Sequence, residues 1–338
     1  MTAFYKNILL ACPGNAVTAG PEAIHQLASD LIRLGANAAI VYFPFSKDFK
    51  TPELYKKYGV PIVKYRDTED DLFIFPEIVT TYALKIHYAD AGIWWMSVNN
   101  YTCVRYGYVW RDKIRYLKNV AKGLRPIGGI KRLAKLKHFA QSYYALDFLK
   151  SNGIVGHLLS DPIPVYTSKN YLENLPDKLS EARRANSILY NPQKGKKTIE
   201  LLIKKFPHWQ FIPLIGFNRE QLANKFLCSK LYIDFGHHPG KDRLPREAAI
   251  HGCCVITSQF GSAENPKDIN IPCSYKIDPR SPQFLLHFKD KVDLVFNDFE
   301  KCFTEFTEYR QIISLEQIDF DKQIKLNFLA ASDHVQDL

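Results

Sequence analysis

Short apolar runs alternate along this chain with stretches in which apolar residues return every three or four positions. Asn7-Ile-Leu-Leu-Ala-Cys-Pro-Gly reads as a buried strand ending in a turn. Pro21 to Leu34 has the spacing of an amphipathic helix, closed by Gly35 where a glycine commonly ends one. Ala38-Ala-Ile-Val-Tyr-Phe supplies the next strand. A strand, loop, helix and strand within about 43 residues predict a right-handed parallel crossover, the opening unit of a doubly wound sheet. Asp71-Leu-Phe-Ile-Phe-Pro and Ala91-Gly-Ile-Trp-Trp-Met-Ser-Val continue it.

Proline then interrupts the pattern at Asp161-Pro-Ile-Pro and Asn174-Leu-Pro-Asp, where periodicity is weak and a connection between domains is expected. A second series follows, with strands at Ser187-Ile-Leu-Tyr, Gln210-Phe-Ile-Pro-Leu, Lys230-Leu-Tyr-Ile-Asp-Phe and Cys253-Cys-Val-Ile-Thr. Helical patterns separate them at Thr198–Lys205, Arg219–Phe226 and Pro245–His251. Residues 282–329 read as mostly helical. The fold class expected is α/β with two Rossmann-like domains and parallel sheets. Residues 1–165 form the first domain, 166–185 a linker, 186–300 the second domain and 301–338 a helical segment. A chain of 338 residues is long enough to bury two cores.

The composition, 46% hydrophobic and 24% charged, is that of a folded globular protein. The first residues carry no charged n-region or signal cleavage site, and no apolar run is long enough to span a bilayer. A cytoplasmic protein is therefore expected. Seven cysteines, with Cys253 and Cys254 adjacent and no CxxC spacing, suit reduced thiols and argue against zinc; no metal site is expected. The net charge of +10 is local: residues 101–140 hold eleven Lys or Arg and one acid, and the remainder balances at 34 of each sign.

Chemistry concentrates in Asp234-Phe-Gly-His-His-Pro-Gly-Lys-Asp-Arg-Leu-Pro-Arg-Glu-Ala-Ala-Ile-His-Gly-Cys-Cys-Val-Ile. A strand ends near Phe235, a Gly/Pro-rich loop follows, and a helix begins near Pro245, a residue suited to a first turn. In an open α/β sheet this junction lies outside the carboxyl ends of the strands, where ligands bind. A helix start presents N–H groups and positive potential, and Lys241, Arg243 and Arg246 add charge that suits a diphosphate. Glu247, one turn in, can accept hydrogen bonds from sugar or ribose hydroxyls, although an acid there also complements the helix dipole with no ligand at all. The glycines Gly236 and Gly240 and the paired His237 and His238 in the same loop are harder to explain as structure alone.

Arg246-Glu-Ala-Ala-Ile-His-Gly-Cys-Cys-Val-Ile, followed by Phe260-Gly-Ser-Ala-Glu-Asn, resembles the donor-binding signature of glycosyltransferases of the GT-B fold. It is similar to the family 4-like group that builds bacterial surface polysaccharides. The resemblance implies two Rossmann-like domains facing across a cleft and a nucleotide-sugar held by the second. It places Glu247 at the ribose-binding position, Gly252 before a Val-Ile strand, and Gly261 and Ser262 in the glycine-rich loop that follows. Tyr190-Asn-Pro-Gln-Lys-Gly-Lys-Lys resembles the first loop of the same domain, with Lys194 and Gly195 matching a diphosphate-binding Lys-Gly pair. Two positions depart from the pattern. The second Glu of many retaining members is Pro239, and the arginine five residues before the Lys-Gly lysine is Leu189, which implies that His237, His238, Lys241 or Arg243 takes over some of the phosphate or sugar contacts.

In the first half, Pro13-Gly-Asn-Ala-Val-Thr-Ala-Gly-Pro-Glu resembles the loop that approaches donor and acceptor in that fold, with Gly14, Thr18, Gly20 and Glu22 as its residues. The spacing is not GxGxxG, which argues against a dinucleotide-binding dehydrogenase; a plain strand-to-helix turn accounts for it equally well. Trp95, in Trp94-Trp-Met-Ser-Val-Asn-Asn-Tyr, is an acceptor-side stacking candidate, while buried tryptophan is more often core. Glu22 and His237 are the candidate bases for the acceptor hydroxyl.

The activity implied is metal-independent transfer of a sugar from a nucleoside diphosphate to a hydroxyl, in surface polysaccharide or lipopolysaccharide synthesis, with the nucleotide-sugar as co-substrate and no cofactor. The acceptor is a saccharide or a lipid-linked one. The basic segment 105–138, with apolar residues such as Ile114, Leu117 and Leu133 interleaved, is open to three readings: a solvated helical face, an anionic membrane contact on the inner face of the cell membrane, or a nucleic-acid surface. Nucleic acid is not the expected partner. A sugar-nucleotide epimerase, a nucleic-acid-binding protein and a catalytically silent sugar-nucleotide binder are the rival classes.

Overall fold

The computed structural model describes residues 2–106, 114, 117, 128–164 and 168–330. The chain divides into two compact units, one of residues 1–161 with 318–338 and one of residues 162–317.

The first unit contains β1 (Thr2–Ala3), β2 (Asn7–Pro13), β3 (Ala38–Phe43), β4 (Asp71–Pro76), β5 (Asp90–Trp95), β6 (Lys137–Ala140) and β7 (His157–Leu158). Strands β2 to β7 form a six-stranded sheet in the order β3-β2-β4-β5-β6-β7, with every pairing parallel. Helices cover both faces, so strand residues of either orientation are buried and the sequence shows continuous apolar runs instead of alternation. On one face Ile8, Leu10 and Ile40 pack with Ile24, Leu27 and Leu31 of the helix Ala19–Arg33. On the other, Leu9, Ala11, Phe73, Phe75 and Trp95 pack with Val79, Tyr101 and Leu149.

The second unit holds β8 (Ala185–Tyr190), β9 (Gln210–Pro213), β10 (Ser229–Asp234) and β11 (Cys254–Thr257) in a parallel sheet ordered β11-β10-β8-β9. Its helices Lys196–Lys205, Arg219–Leu227 and Arg243–Ile250 follow β8, β9 and β10 in turn. The middle helix starts on a complete capping box, Asn218 with Gln221.

The division differs from the order expected along the chain in two places. The proline-punctuated stretch forms short helices, Lys169–Glu173 and Leu175–Glu181, and Leu175 is buried in the second unit's core. The last helix, Thr307–Phe328, begins in the second unit and ends in the first, where Phe320, Ile324 and Phe328 join the cluster of Ile8, Leu10 and Leu72. Its end is fixed by β12 (Leu329–Ala330), antiparallel to β1. An amphipathic helix reads the same whichever core it packs on, so its ownership follows from packing alone.

Residues 105–138 fall largely outside the described residues; at their described end, Leu133 and Phe139 of the neighbouring strand β6 are buried. Among the described residues no helix is long and apolar enough to cross a membrane.

The second core encloses a histidine. His251 is fully buried, stacked on Phe226, with Nδ1 facing the Glu247 carbonyl and Nε2 facing the Tyr171 hydroxyl. Burial, against the pull of the Glu247 carbonyl, lowers its pKa to about 4. The unfolded chain takes up this proton near pH 6.5 while the folded one does not, so stability is lost as pH falls from 6.5 towards 4. We expect this residue to contribute a loss of about 3 kcal/mol over that range, with burial of His25 and His138 acting in the same direction. Urea unfolding at a series of pH values checks this: His251→Gln should flatten the slope, and a slope equal to wild type would refute the assignment.

Candidate functional site

Strands β8, β10 and β11 are neighbours, so the loops that leave their carboxyl ends, at 191–195, 235–242 and 258–262, meet at one edge of the sheet. Glycine allows them to meet so closely. Gly195 has φ +60°, and a Cβ on it would lie 2.7 Å from the Phe235 carbonyl carbon. A Cβ on Gly236 would lie 2.6 Å from Lys194 Cβ. Gly261 has φ +67°, and a Cβ there would lie 2.1 Å from the His238 carbonyl oxygen. Hydrogen bonds then fasten the last two loops together. The His238 N–H donates to the Phe260 carbonyl (3.2 Å), the Ser262 N–H to the His238 carbonyl (2.9 Å) and Ser258 Oγ to the Gly236 carbonyl (2.7 Å). Ser262 Oγ reaches the Gly240 carbonyl, so both Gly240 and Ser262 serve the junction from buried positions.

Two helices begin at this edge, and neither has an acid in its first turn. Lys196–Lys205 starts with two lysines. Arg243–Ile250 starts two residues before the position expected from Pro245, with Arg243 first. Cations at helix N-termini are unfavourable unless an anion offsets them. The residue at the N-cap of the second helix is Asp242, yet its carboxylate makes no capping bond. It turns instead to Lys194 Nζ, which it contacts, and to His238 Nδ1 at 2.8 Å. His238 is fully buried, with Nε2 3.6 Å from the Asp234 carboxylate. Burial pushes the Asp242 carboxyl up, but the contacts with His238 and Lys194 outweigh it and hold the group below the usual carboxylate range.

Lys194, Gly195, Gly236, His237, His238, Gly240, Lys241, Arg243, Glu247, Gly261 and Ser262 thus all lie in these loops or on the helix that leaves them. Glu247 is half-buried; His237 lies on the exposed side of its loop, and partial burial of its ring, with neighbouring His238 and Lys194, lowers its pKa against the pull of Asp242. Arg246 requires a correction. It is fully buried, and its guanidinium bonds Glu316 at 2.8 Å and the carbonyls of Lys241 and Asp242 at 2.9 and 3.2 Å, so it organises the loop from beneath and does not face a ligand. Glu316 also meets Lys241 Nζ at 2.9 Å. Nothing in the sequence singled out Glu316, seventy residues beyond its partner.

In the first unit, Gly14 and Thr18 lie in the loop after β2, and Gly20 lies in the first turn of the helix Ala19–Arg33. A Cβ on Gly14 would strike the Phe49 ring at 2.3 Å, and the exposed Thr18 accepts a hydrogen bond on its carbonyl from Tyr55. Glu22 is buried and engaged with Lys57 Nζ at 3.2 Å and the Tyr58 hydroxyl at 3.0 Å. Trp95 is a second correction: it is fully buried, and its indole N–H donates to His138 Nδ1 at 2.9 Å, so its ring is core and offers no face to a sugar. A carboxyl that sequence reading passed over lies at the carboxyl end of β4. Glu77 is buried, accepts hydrogen bonds from the Met96 N–H and the Asn100 amide, and is pushed up by burial to about 7. The Phe-Pro-Glu that carries it read simply as the end of a strand.

No protein-family model matches this chain, and no curated protein does. Solved structures do. HepE of Anabaena in complex with UDP-glucose superposes with a TM-score of 0.61 at 11% identity, over 95% of this chain and 98% of that one. Sucrose-phosphate synthase from Thermosynechococcus elongatus gives 0.57 at 12%, over 95% and 99%. A glycosyltransferase from Rickettsia africae gives 0.55 at 15%, over 96% and 99%. The two-unit α/β fold is therefore the GT-B glycosyltransferase fold.

The close approach at Gly261 is directly testable. Gly261→Ala forces a Cβ into a backbone carbonyl at a left-handed φ, and we expect a loss of at least ~2 kcal/mol in urea unfolding. Gly20→Ala, whose Cβ would meet Met96 Cε at 3.9 Å inside the first turn of a helix, should be neutral or stabilising. Equal midpoints for the two variants would contradict this reading of the loop junction.

Proposed function

We propose that this protein is a glycosyltransferase that moves a sugar from a nucleoside diphosphate sugar to an acceptor hydroxyl. The observation that carries the reading is the strand edge where glycine-dependent loops bring Lys194 beside two helix N-termini that lack acids in their first turns. The diphosphate lies at the start of the helix Arg243–Ile250, with Lys194, Lys241 and Arg243 around it. Glu247 accepts the ribose hydroxyls. When the glycosyl bond breaks, negative charge develops on the leaving phosphate, and these fixed cations and helix dipoles stabilise it without a metal. The donor class is supported by the likeness to HepE, whose structure holds UDP-glucose.

Of the two candidate bases we favour His237, which is exposed, over Glu22, which is buried beside Lys57 and Tyr58. A lowered pKa keeps the His237 imidazole neutral at pH 7, the form that accepts the acceptor's proton. The acceptor is a saccharide or lipid-linked saccharide of surface polysaccharide or lipopolysaccharide synthesis. The basic segment 105–138 provides attraction to an anionic membrane on the cytoplasmic side, where such an acceptor is presented.

A thermal-shift screen against UDP, GDP, ADP and their common sugar conjugates tests the donor site. At about a hundred times its dissociation constant, the correct nucleotide should raise the melting temperature by about 5 °C, and Glu247→Ala should lose most of the shift. No shift with any nucleotide would remove the donor-site reading, and turnover of the sugar nucleotide to an epimer without acceptor would replace transfer with epimerisation.

The base assignment predicts a pH profile. The acid limb of kcat/KM should fall below pH ~6.5, the ordinary imidazole value, and disappear in His237→Asn. An unchanged limb in that variant would assign the base elsewhere.

A further inference from the structure

An aspartate at the start of a helix ordinarily caps that helix's own N–H groups. Asp242 holds this position and does not cap; its carboxylate is drawn off the helix by Lys194 from the β8 loop and by His238 from its own loop. His238 is fully buried, and neither ring nitrogen has a hydrogen-bond partner of good geometry, although Asp242 and Asp234 face its two nitrogens. A buried imidazole placed between two carboxylates is an expensive arrangement for a loop that needs only to turn. Two results follow from it. The helix N-terminus is left without its own side-chain cap, and the Lys194 ammonium is held beside that N-terminus.

We propose that Asp242, oriented by His238, is the positioning residue of the donor site. It fixes Lys194 for the diphosphate and, by turning away, leaves the start of the helix Arg243–Ile250 for the same phosphates. The inference rests on the donor reading above and goes beyond it in assigning an acidic residue to the binding of an anion. It makes a counter-intuitive prediction. Removing a negative charge next to a phosphate site ordinarily tightens binding, but Asp242→Asn should weaken it. The amide no longer holds the ammonium, and asparagine, as good an N-cap as aspartate, folds back onto the N–H groups that the phosphates need.

The test is a double-mutant cycle by calorimetry on the whole chain, with UDP-glucose, GDP-mannose and ADP-glucose as probes. Asp242→Asn should weaken the bound probe about tenfold in the wild-type background and less than twofold in the Lys194→Ala background, because the second effect acts through the first. Asp242→Glu, which keeps the charge, should bind more tightly than Asp242→Asn. Asp242→Asn gives up its ion pair with Lys194 and keeps a capping residue, so binding is compared at a temperature where circular dichroism shows every variant folded. Tighter binding by Asp242→Asn would overturn the proposal, as would an equal penalty in both backgrounds. Unchanged binding in Lys194→Ala alone, or no binding of any probe by wild type, would instead overturn the donor reading on which the proposal rests.

Discussion

The second unit depends on a buried ion pair. A guanidinium taken fully out of water is tolerated only when its charge is matched and its N–H groups are satisfied, and breaking such a pair typically costs about 3–5 kcal/mol. Arg246 meets both conditions, with Glu316 on one nitrogen and two loop carbonyls on the others. Glu316 in turn accepts the Ile163 N–H at 3.3 Å and meets Lys241. One carboxylate on the last long helix therefore ties together the start of the site helix, the loop before it and the beginning of the unit.

Around that anchor, the chemistry of the strand edge follows from how closely three loops approach. Gly195, Gly236 and Gly261 are positions where any Cβ would strike a neighbour, so the loops pack backbone to backbone and bring side chains of separate strands into one cluster. Lys194 comes from the loop after β8, His237, His238 and Asp242 from the loop after β10, and Ser262 from the loop after β11. The paired histidines stand in different surroundings. His237 faces outward with a lowered pKa, whereas His238 is walled in against Asp242.

The strands were legible because parallel strands buried on both faces leave unbroken apolar runs, as at β2 and β10. The glycine-rich junction after β10 was legible because glycines, histidines and cations crowd a single strand-to-helix loop. What escaped the sequence was whatever depends on distant pairing. Arg246 read as a ligand-facing cation because its partner Glu316 shares no local pattern with it. Trp95 stayed open between a stacking residue and core because its place at a strand end says nothing of the side chains that close over it. Glu77 carries a carboxyl near neutrality through burial alone, and burial is not written in Phe-Pro-Glu.

Whether a nucleotide-sugar binds at the strand edge of the second unit is measured most directly by amide hydrogen exchange with and without saturating UDP-glucose. Exchange should slow in residues 191–196, 236–246 and 258–262, where the loops and helix starts would be ordered by the diphosphate. Protection confined to the first unit, or none in these three segments, would contradict binding there.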